Sequence, residues 1–199
     1  MGPAPGGATL VGMRIIAGSL KGLQLKGPRG RGTRPTSDLL REVLFQMMEG
    51  IAPSWSRVLD LFAGTGALGI EALSRGAEHV DFVESNTGAC ATIRENLGLA
   101  RAANQSHVYC CTVQRALSIL PGEYDIILAD PPYGLANLES LLTQIAMSAW
   151  VGPETVLALE HSSHVQIPPQ VGPLRLIKSR QHGDSCLAFF AVGSNWSEL

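Results

Sequence analysis

Two hydrophobic periods alternate along most of the chain. From residue 57 onward, short continuous apolar runs are separated by longer stretches in which apolar residues recur at helical spacing. The runs predict strands at residues 57–62, 79–84, 107–112, 124–129 and 155–160, and the stretches predict helices at residues 67–74, 87–99, 113–120 and 138–150. Alternating strands and helices are typical of a parallel sheet with helices on both faces.

The first fifty residues show a different pattern. Two short strand-like runs, at residues 14–18 and 22–26, are close enough together to predict a hairpin. Thr36 or Ser37 can cap a helix that reaches about residue 49, because apolar residues recur on one face of this stretch. We expect the hairpin and the helix to pack against the rest of the chain.

The end of the chain changes from alternation to two consecutive strands. Residues 174–180 and 185–192 are strand-like and are joined by a short turn, which predicts an antiparallel pair. The predicted fold class is α/β, with a mostly parallel seven-stranded sheet, an antiparallel C-terminal strand, and a small N-terminal β-hairpin and helix extension. The predicted organisation is a disordered tail at residues 1–12, the extension at residues 13–52 and the main domain at residues 53–199.

The composition describes a single globular unit. With 199 residues, 45% hydrophobic and 16% charged, the chain is expected to form one domain with a small appendage. It has no run of about eighteen apolar residues and no N-terminal basic region followed by an apolar core. We therefore expect a soluble cytoplasmic protein without a membrane span.

The cysteines and histidines do not follow a metal-binding pattern. The five histidines form no spaced ligand set or catalytic triad, and we predict that no metal is bound. Glu160 and His161 end a predicted strand near the chemistry described below, and they are candidates for a minor role on the substrate side. We expect all four cysteines to be reduced and buried: Cys90, Cys110, Cys111 and Cys186.

The net charge of −2 conceals an asymmetry. Residues 1–50 carry seven basic and three acidic side chains, whereas residues 51–199 carry eight basic and fourteen acidic ones. An N-terminal stretch without any acidic residue is predicted to bind RNA phosphates through Arg14, Lys21, Lys26, Arg29, Arg31 and Arg34. The alternative is an ordinary solvated face, although such faces usually mix both signs.

A glycine-rich turn follows the first strand of the main domain. The G-x-G-x-x-G pattern of residues 64–69 lets a backbone approach a ligand closely, and Glu84, twenty positions after Gly64, can bind ribose hydroxyls. The pattern alone is also compatible with nicotinamide binding or with a loop that binds nothing. Asp60 favours a different ligand, because its carboxylate could reach the amino group of an amino-acid moiety, which a dinucleotide lacks.

The tetrapeptide Asp130-Pro131-Pro132-Tyr133 follows the fourth strand of the main domain. Two prolines hold a rigid, non-helical loop whose carbonyls can face a ligand, and Tyr133 offers a ring on which a base can stack. Asp130 and the Pro131 carbonyl could accept the N–H groups of an exocyclic amine. The alternative is a turn that merely ends the strand.

These residues carry a resemblance to a known family. The chain resembles the RsmD family of S-adenosylmethionine-dependent methyltransferases, which act on a guanine N2 of bacterial small-subunit (16S) ribosomal RNA. The resemblance spans nearly the whole chain, and it is most specific where the N-terminal segment is combined with the long match around the glycine turn. It is carried by residues 13–18, 31–38, 41–45, 58–77, 82–84, 130–133 and 183–185.

The resemblance implies a class I (Rossmann-like) methyltransferase fold and a set of site residues. The catalytic residues it implies are Asp130, Pro131, Pro132 and Tyr133. S-adenosyl-L-methionine would be held by Asp60, Phe62, Ala63, Gly64, Gly66, Glu84, Ser85 and Val113. The partner it implies is ribosomal RNA or the small ribosomal subunit, and a monomer is favoured. One departure lies after the third strand, where related enzymes often place an acidic or amide residue to meet the adenine amine. This chain has Cys111-Thr112-Val113-Gln114 there, and Gln114 is the candidate to substitute.

Two alternative functions remain. The first is an amino methyltransferase that acts on adenine N6 or cytosine N4 in DNA or RNA, since the Asp-Pro-Pro-Tyr motif is shared with such enzymes. The second is a Rossmann-type nucleotide-binding module without catalytic activity. Asp130 favours guanine, because resembling adenine N6 enzymes often begin this tetrapeptide with Asn.

Overall fold

The computed structural model describes residues 13–27, 38–135 and 137–193. Within these ranges the helices are α1 (Asp38–Ile51), α2 (Ala67–Ser74), α3 (Thr87–Ala100), α4 (Val113–Ala116) and α5 (Leu138–Ala146). The strands are β1 (Arg57–Leu61), β2 (His79–Glu84), β3 (Ser106–Cys110), β4 (Tyr124–Ala129), β5 (Val151–Ser162), β6 (Gln170–Val171), β7 (Leu174–His182) and β8 (Ser185–Val192). The predictions that fall outside the described residues are the tail at 1–12, the helix cap at Thr36 or Ser37, and the RNA contacts of Arg29, Arg31 and Arg34.

The strands form one sheet in the order β3-β2-β1-β4-β5-β8-β7-β6. Strands β1 to β5 pair parallel with one another, whereas β8 pairs antiparallel with both β5 and β7. This arrangement confirms the predicted α/β class and its antiparallel C-terminal strand. The two-residue strand β6 adds an eighth, edge strand to the seven that were predicted.

The sheet reverses its order between β1 and β4. Strands β1, β2 and β3 are added outward on one side, and β4 then returns to the other side of β1. Open α/β sheets bind ligands at the carboxyl ends of the strands where the order reverses. Because Leu61 of β1 lies opposite Ala129 of β4, the segments that follow these two strands are neighbours.

Two apolar clusters cover the two faces of the sheet. Along β1, Val58 belongs to the cluster beneath α1, α2 and α3, whereas Leu59 and Leu61 belong to the cluster beneath α4 and α5. The N-terminal segment (residues 13–27) shares the first of these clusters, because Ile15 and Leu25 are buried in it. The extension therefore packs on the same core as the sheet.

The predicted N-terminal hairpin is present but short. One antiparallel bridge joins Arg14 to Gln24, and backbone hydrogen bonds on either side of the bridge join the two runs. The backbone N–H groups of Ile16 and Ala17 donate instead to the carboxylate of Glu71, at 2.7 and 2.9 Å. Glu71 lies on α2 and is fully buried. The tertiary contact with α2 thus replaces part of the ladder that a regular hairpin would form.

Two helices end earlier than predicted. After α4 ends at Ala116, the chain continues as a turn whose backbone hydrogen bonds span either three or four residues, rather than as a regular α-helix. After α5 ends at Ala146, a turn leads to Trp150, which is fully buried and donates its indole N–H to the Leu120 carbonyl at 3.2 Å. Burial of this side chain against the α4–β4 connection decides where the turn lies.

The cysteines correct one prediction. All four are free thiols, and Cys90 and Cys186 are buried, but Cys110 is exposed and Cys111 is partly exposed. The reason is that β3 is an edge strand whose end faces solvent.

Within the described part of the chain, none of the helices has the length and apolar composition of a membrane span, and no cluster of three or more side chains could hold a metal ion.

Candidate active site

The glycine turn connects β1 to α2 and requires unusual backbone angles. Phe62 has φ 59°, Gly64 has φ 56° and Gly66 has φ 79°. Phe62 is not a glycine, so its left-handed conformation stores strain of the kind found at ligand sites. The turn is closed by a hydrogen bond of 2.7 Å from the Gly66 N–H to the Ala63 carbonyl.

The third glycine of the motif is needed for packing rather than for a turn. A Cβ on Gly69 would overlap the Phe82 ring of β2, with Phe82 Cζ only 2.6 Å away. No real Cβ approaches another carbon so closely, so α2 can pack against the sheet at this distance only with glycine here. The close approach places the first turn of α2 directly beside the end of β1.

Asp60 is buried at this point with one oxygen unpaired. Its Oδ2 accepts a hydrogen bond of 2.9 Å from the Gly69 N–H, whereas its Oδ1 has no partner among the described residues. Burial raises the pKa of Asp60 to about 7; the Gly69 N–H opposes this increase, and the charges of Asp130 and Glu84 add to it. A buried carboxylate with an unpaired oxygen and a raised pKa is suited to bind a cationic group.

Glu84 connects the glycine turn to α3. Its Oε2 accepts from the Gly64 N–H at 2.9 Å, and its Oε1 accepts from the Asn86 N–H at 2.7 Å. Each carboxylate oxygen has a second lone pair, so the group can still accept hydrogen bonds from ribose hydroxyls. Ser85 follows Glu84 directly and is exposed at the same edge of the sheet.

Val113 is placed differently from the other predicted cofactor residues. It is the first residue of α4, and its side chain is buried in the cluster that also contains Leu61 and Val83. Its side chain is therefore part of the core. Phe62, Ala63, Gly64 and Gly66 all lie in the glycine turn, beside Asp60 and Glu84.

The Asp-Pro-Pro-Tyr loop follows β4 and therefore lies beside the end of β1. The side chain of Tyr133 is 48% exposed, and its hydroxyl donates to Glu160 Oε1 at 3.2 Å and also contacts Ser185 Oγ. The hydroxyl is thus held by β5 and β8 while much of the ring stays accessible. Glu160 was predicted to lie near the site, whereas the contact with Ser185 was not predicted, although Ser185 lies in a run that carries the family resemblance.

A cavity of about 570 Å³ opens beside the tetrapeptide. Pro132 and Tyr133 form one wall, Leu138 and Leu142 of α5 form a second, and Ile167 lies in the connection after β5. The lining also includes polar side chains, among them Asn137 and Thr143, and pockets of this size bind small molecules or single groups of larger ones. It is therefore a suitable place for a flat base that approaches the tetrapeptide.

His161 lines the same cavity and is 6% exposed. Burial lowers its pKa, against the opposing effects of the Ser162 and Val165 backbones and of Glu160. Its Nδ1 lies 2.9 Å from the Ser162 carbonyl, which can only accept, so Nδ1 carries the proton of the neutral ring. The Nε2 atom of the neutral ring is then an acceptor, and it has no hydrogen-bond partner among the described residues.

The described basic residues of the N-terminal segment are all exposed. Arg14 pairs with Asp38 at 3.2 Å, and Lys26 pairs with Glu95 at 2.9 Å. Lys21 makes no ion pair with any described residue. Surface ion pairs of this kind contribute little to stability, so both paired side chains can exchange to a phosphate at small cost. Their RNA-binding role stays a prediction.

Comparison with known proteins agrees with this geometry. The model of the family described as "Conserved hypothetical protein 95" matches residues 13–191. The chain is 38% identical to "Putative rRNA methyltransferase YlbH" of Bacillus subtilis, over 89% of this chain and 98% of that one. It is 31% identical to "Ribosomal RNA small subunit methyltransferase D" of Escherichia coli, over 78% of each chain.

The solved structures agree with the sequence comparison. A structure titled "Putative methyltransferase yhhF from Escherichia coli" superposes with a TM-score of 0.78, at 27% identity, and covers 92% of this chain and 99% of that one. The region matched by the family model, residues 13–191, includes the N-terminal segment, the glycine turn and the Asp-Pro-Pro-Tyr loop. This chain belongs to the RsmD family of ribosomal RNA methyltransferases.

Proposed function

We propose that this protein transfers a methyl group from S-adenosyl-L-methionine to the exocyclic N2 of a guanine in small-subunit (16S) ribosomal RNA. The observation that carries the proposal is the position of the Asp130-Pro131-Pro132-Tyr133 loop beside Asp60 and the glycine turn, at the point where the sheet reverses its order. Relatives named ribosomal RNA small subunit methyltransferase D support the choice of substrate.

The residues around the glycine turn fit the proposed methyl donor. Asp60 has an unpaired buried oxygen that suits the ammonium group of a methionine moiety, and Glu84 has free lone pairs for ribose hydroxyls. Gly64 and Gly66 let the turn approach the ligand without a side chain in between. When bound, S-adenosyl-L-methionine supplies a methyl group on a sulfonium centre, whose thioether leaving group needs no protonation.

The tetrapeptide and the cavity account for the acceptor. The ring of Tyr133 offers a stacking surface for an unpaired or flipped guanine. The Asp130 carboxylate and the Pro131 carbonyl accept hydrogen bonds from the two N–H groups of the amine and so direct its nitrogen toward the donor. Because no acid or base other than Asp130 is needed, much of the rate comes from proximity and orientation.

The test is methyl transfer from labelled S-adenosyl-L-methionine to three substrates that lack the modification: small ribosomal subunits, protein-free ribosomal RNA and duplex DNA. Nucleoside analysis of the product should yield N2-methylguanosine from one or both of the RNA substrates. N6-methyladenine or N4-methylcytosine would instead identify the alternative amino methyltransferase. Absence of transfer to all three would contradict the proposal.

The role of Asp130 is tested in the same assay with a matched pair of variants. Asp130→Asn should lower kcat by about 100-fold or more, since a positioned proton acceptor contributes this much in other enzymes. Glu154→Gln neutralises an exposed carboxylate near the amino end of β5 and should leave transfer unchanged. Equal activity of the two variants would remove Asp130 from the mechanism.

A further inference from the structure

Asn96 joins the glycine turn to the N-terminal segment. It lies on α3 and is fully buried. Its Nδ2 donates to the Thr65 carbonyl at 2.9 Å and to the Lys26 carbonyl at 3.1 Å, and its Oδ1 accepts from the Lys26 N–H at 2.7 Å. One side chain therefore holds the middle of the turn and the end of the segment.

The chemistry of these contacts is specific to an amide. Both N–H donors of the Asn96 side chain are used on backbone carbonyls, and its oxygen accepts from a backbone N–H. A carboxylate of the same shape has no donor, and an apolar side chain would leave three backbone groups without this partner. The loss of partners for buried groups is costly, so the arrangement is sensitive to substitution.

The contacts continue in both directions from Asn96. Next to Thr65, the Gly64 N–H donates to Glu84, the carboxylate to which we assign the ribose. Thr65 Oγ1 also lies 3.2 Å from Met13 Sδ, so the turn contacts both ends of the N-terminal segment. On the other side, Lys26 leads directly into the stretch that carries Arg29, Arg31 and Arg34.

We propose that Asn96 is a positioning residue that couples cofactor binding at the glycine turn to RNA binding by the N-terminal segment. The proposal rests on the proposed function. A ligand that orders the turn fixes Thr65, and through Asn96 it fixes the backbone of Lys26. The segment then loses less conformational freedom when RNA binds, which gives positive cooperativity. The coupling is reciprocal, so RNA must raise the affinity for the cofactor by the same factor.

The first test needs neither a variant nor RNA. Hydrogen–deuterium exchange is measured for the wild-type protein with and without S-adenosyl-L-methionine. We expect slower exchange of the Lys26 amide when the cofactor is added, together with slower exchange in the glycine turn. Protection of the turn without any change in residues 13–27 would overturn the proposal.

The second test measures the coupling itself. Affinity for protein-free small-subunit ribosomal RNA is determined with and without S-adenosylhomocysteine, which fills the cofactor site without methylating the RNA. The wild-type protein should bind RNA about 5-fold more tightly or better with the ligand present, a factor at the lower end of known couplings. In Asn96→Ala the ratio of the RNA affinity with the ligand to the RNA affinity without it should fall to about 1.

A matched control separates coupling from loosening of the segment. Ser74 accepts from the Leu20 N–H at 2.9 Å and donates to the Ala17 carbonyl at 2.5 Å, so Ser74→Ala weakens the same segment without touching the turn. This variant should keep the wild-type ratio. If it loses the ratio as Asn96→Ala does, Asn96 has only a structural role. If Asn96→Ala does not fold, the hydrogen–deuterium exchange experiment on the wild-type protein still tests the proposal.

Failure of this proposal can be distinguished from failure of the proposed function. If the wild-type enzyme methylates guanine but shows a ratio of 1, the coupling is wrong and the function stands. If S-adenosyl-L-methionine neither protects the glycine turn nor supports transfer to RNA, the assignment of the cofactor is wrong, and with it this inference.

Discussion

Asp60 shows how burial, together with neighbouring carboxylates, can prepare a side chain to bind a cation. Its folded-state pKa of about 7 lies above the ordinary value of 3.8, so the ligand-free protein retains the proton between these values. The contribution of Asp60 to stability is therefore present below the unfolded pKa and is lost as the pH rises through the folded one. A cationic ligand selects the ionised carboxylate and must displace that proton.

The raised pKa of Asp60 predicts how cofactor binding depends on pH. Affinity for S-adenosyl-L-methionine should rise about 25-fold between about pH 5.5 and about pH 7.5, because binding releases a proton from Asp60. Calorimetry in two buffers of different ionisation enthalpy would detect that proton. Asp60→Asn should bind weakly and with a flat pH profile. A wild-type affinity that is equally flat would show that Asp60 does not meet a cation.

Tyr133 makes its side-chain contacts through its hydroxyl, and much of its ring stays accessible. Removal of the hydroxyl contacts in Tyr133→Phe should lower kcat/KM for RNA by about 2- to 10-fold, the effect of one ordinary hydrogen bond. Ser185→Ala should reproduce part of this loss, whereas Tyr133→Ala should cost more, because the stacking surface is then missing. Steady-state kinetics on RNA would check that the losses of kcat/KM in the three variants follow this order. If Tyr133→Phe were as inactive as Tyr133→Ala, the hydroxyl rather than the ring would be the important group.

At the scale of elements, the approach of α2 to the sheet depends on Gly69. A Cβ at this position would collide with Phe82, so Gly69→Ala should lower the free energy of unfolding by about 1–3 kcal/mol, although alanine favours a helix. A Cβ added to Gly98 on α3 would meet no atom within 4 Å, and Gly98→Ala should raise stability by about 0.5–1 kcal/mol. Urea denaturation of both variants measures the difference. Stabilisation by both would mean that α2 can move away from β2.

The elements also show what local pattern can and cannot predict. The strands that flank the glycine turn and the tetrapeptide were predicted within one or two residues, because their apolar runs are continuous and bounded by polar residues. The ends of α4 and α5 were predicted about four residues too far along the chain. Trp150 fits a helical period in the sequence, but its burial against the Leu120 carbonyl places it in a turn.

At the scale of the whole molecule, charge is divided between an N-terminal basic stretch and an acidic remainder. Lys26 already pairs with Glu95, so charge reversal there would also place two carboxylates together. Lys21, Arg29 and Arg31 are therefore the better residues to reverse. The triple variant should bind RNA more weakly and with a salt slope smaller by about 2–3, at unchanged cofactor affinity.

The matched control for this prediction lies on β7, among the antiparallel C-terminal strands. Arg175 and Arg180 lie on β7 and are exposed, and their reversal to Glu should leave the salt slope of RNA binding unchanged. Filter binding over a range of salt concentrations gives both slopes. If the β7 variant shows the smaller slope instead, RNA approaches from the C-terminal strands.

The sequence by itself determined the class of fold, the glycine turn with Asp60 and Glu84, the tetrapeptide and the family. Each of these depends on a local period or on residues that are close together in the chain. Only the tertiary structure decided that Glu71, Ser74 and Asn96 hold the N-terminal segment, and that Tyr133 meets Ser185. These partners are 52 to 70 residues apart, and a pattern of apolar and polar positions carries no information on which distant polar groups will pair once they are buried.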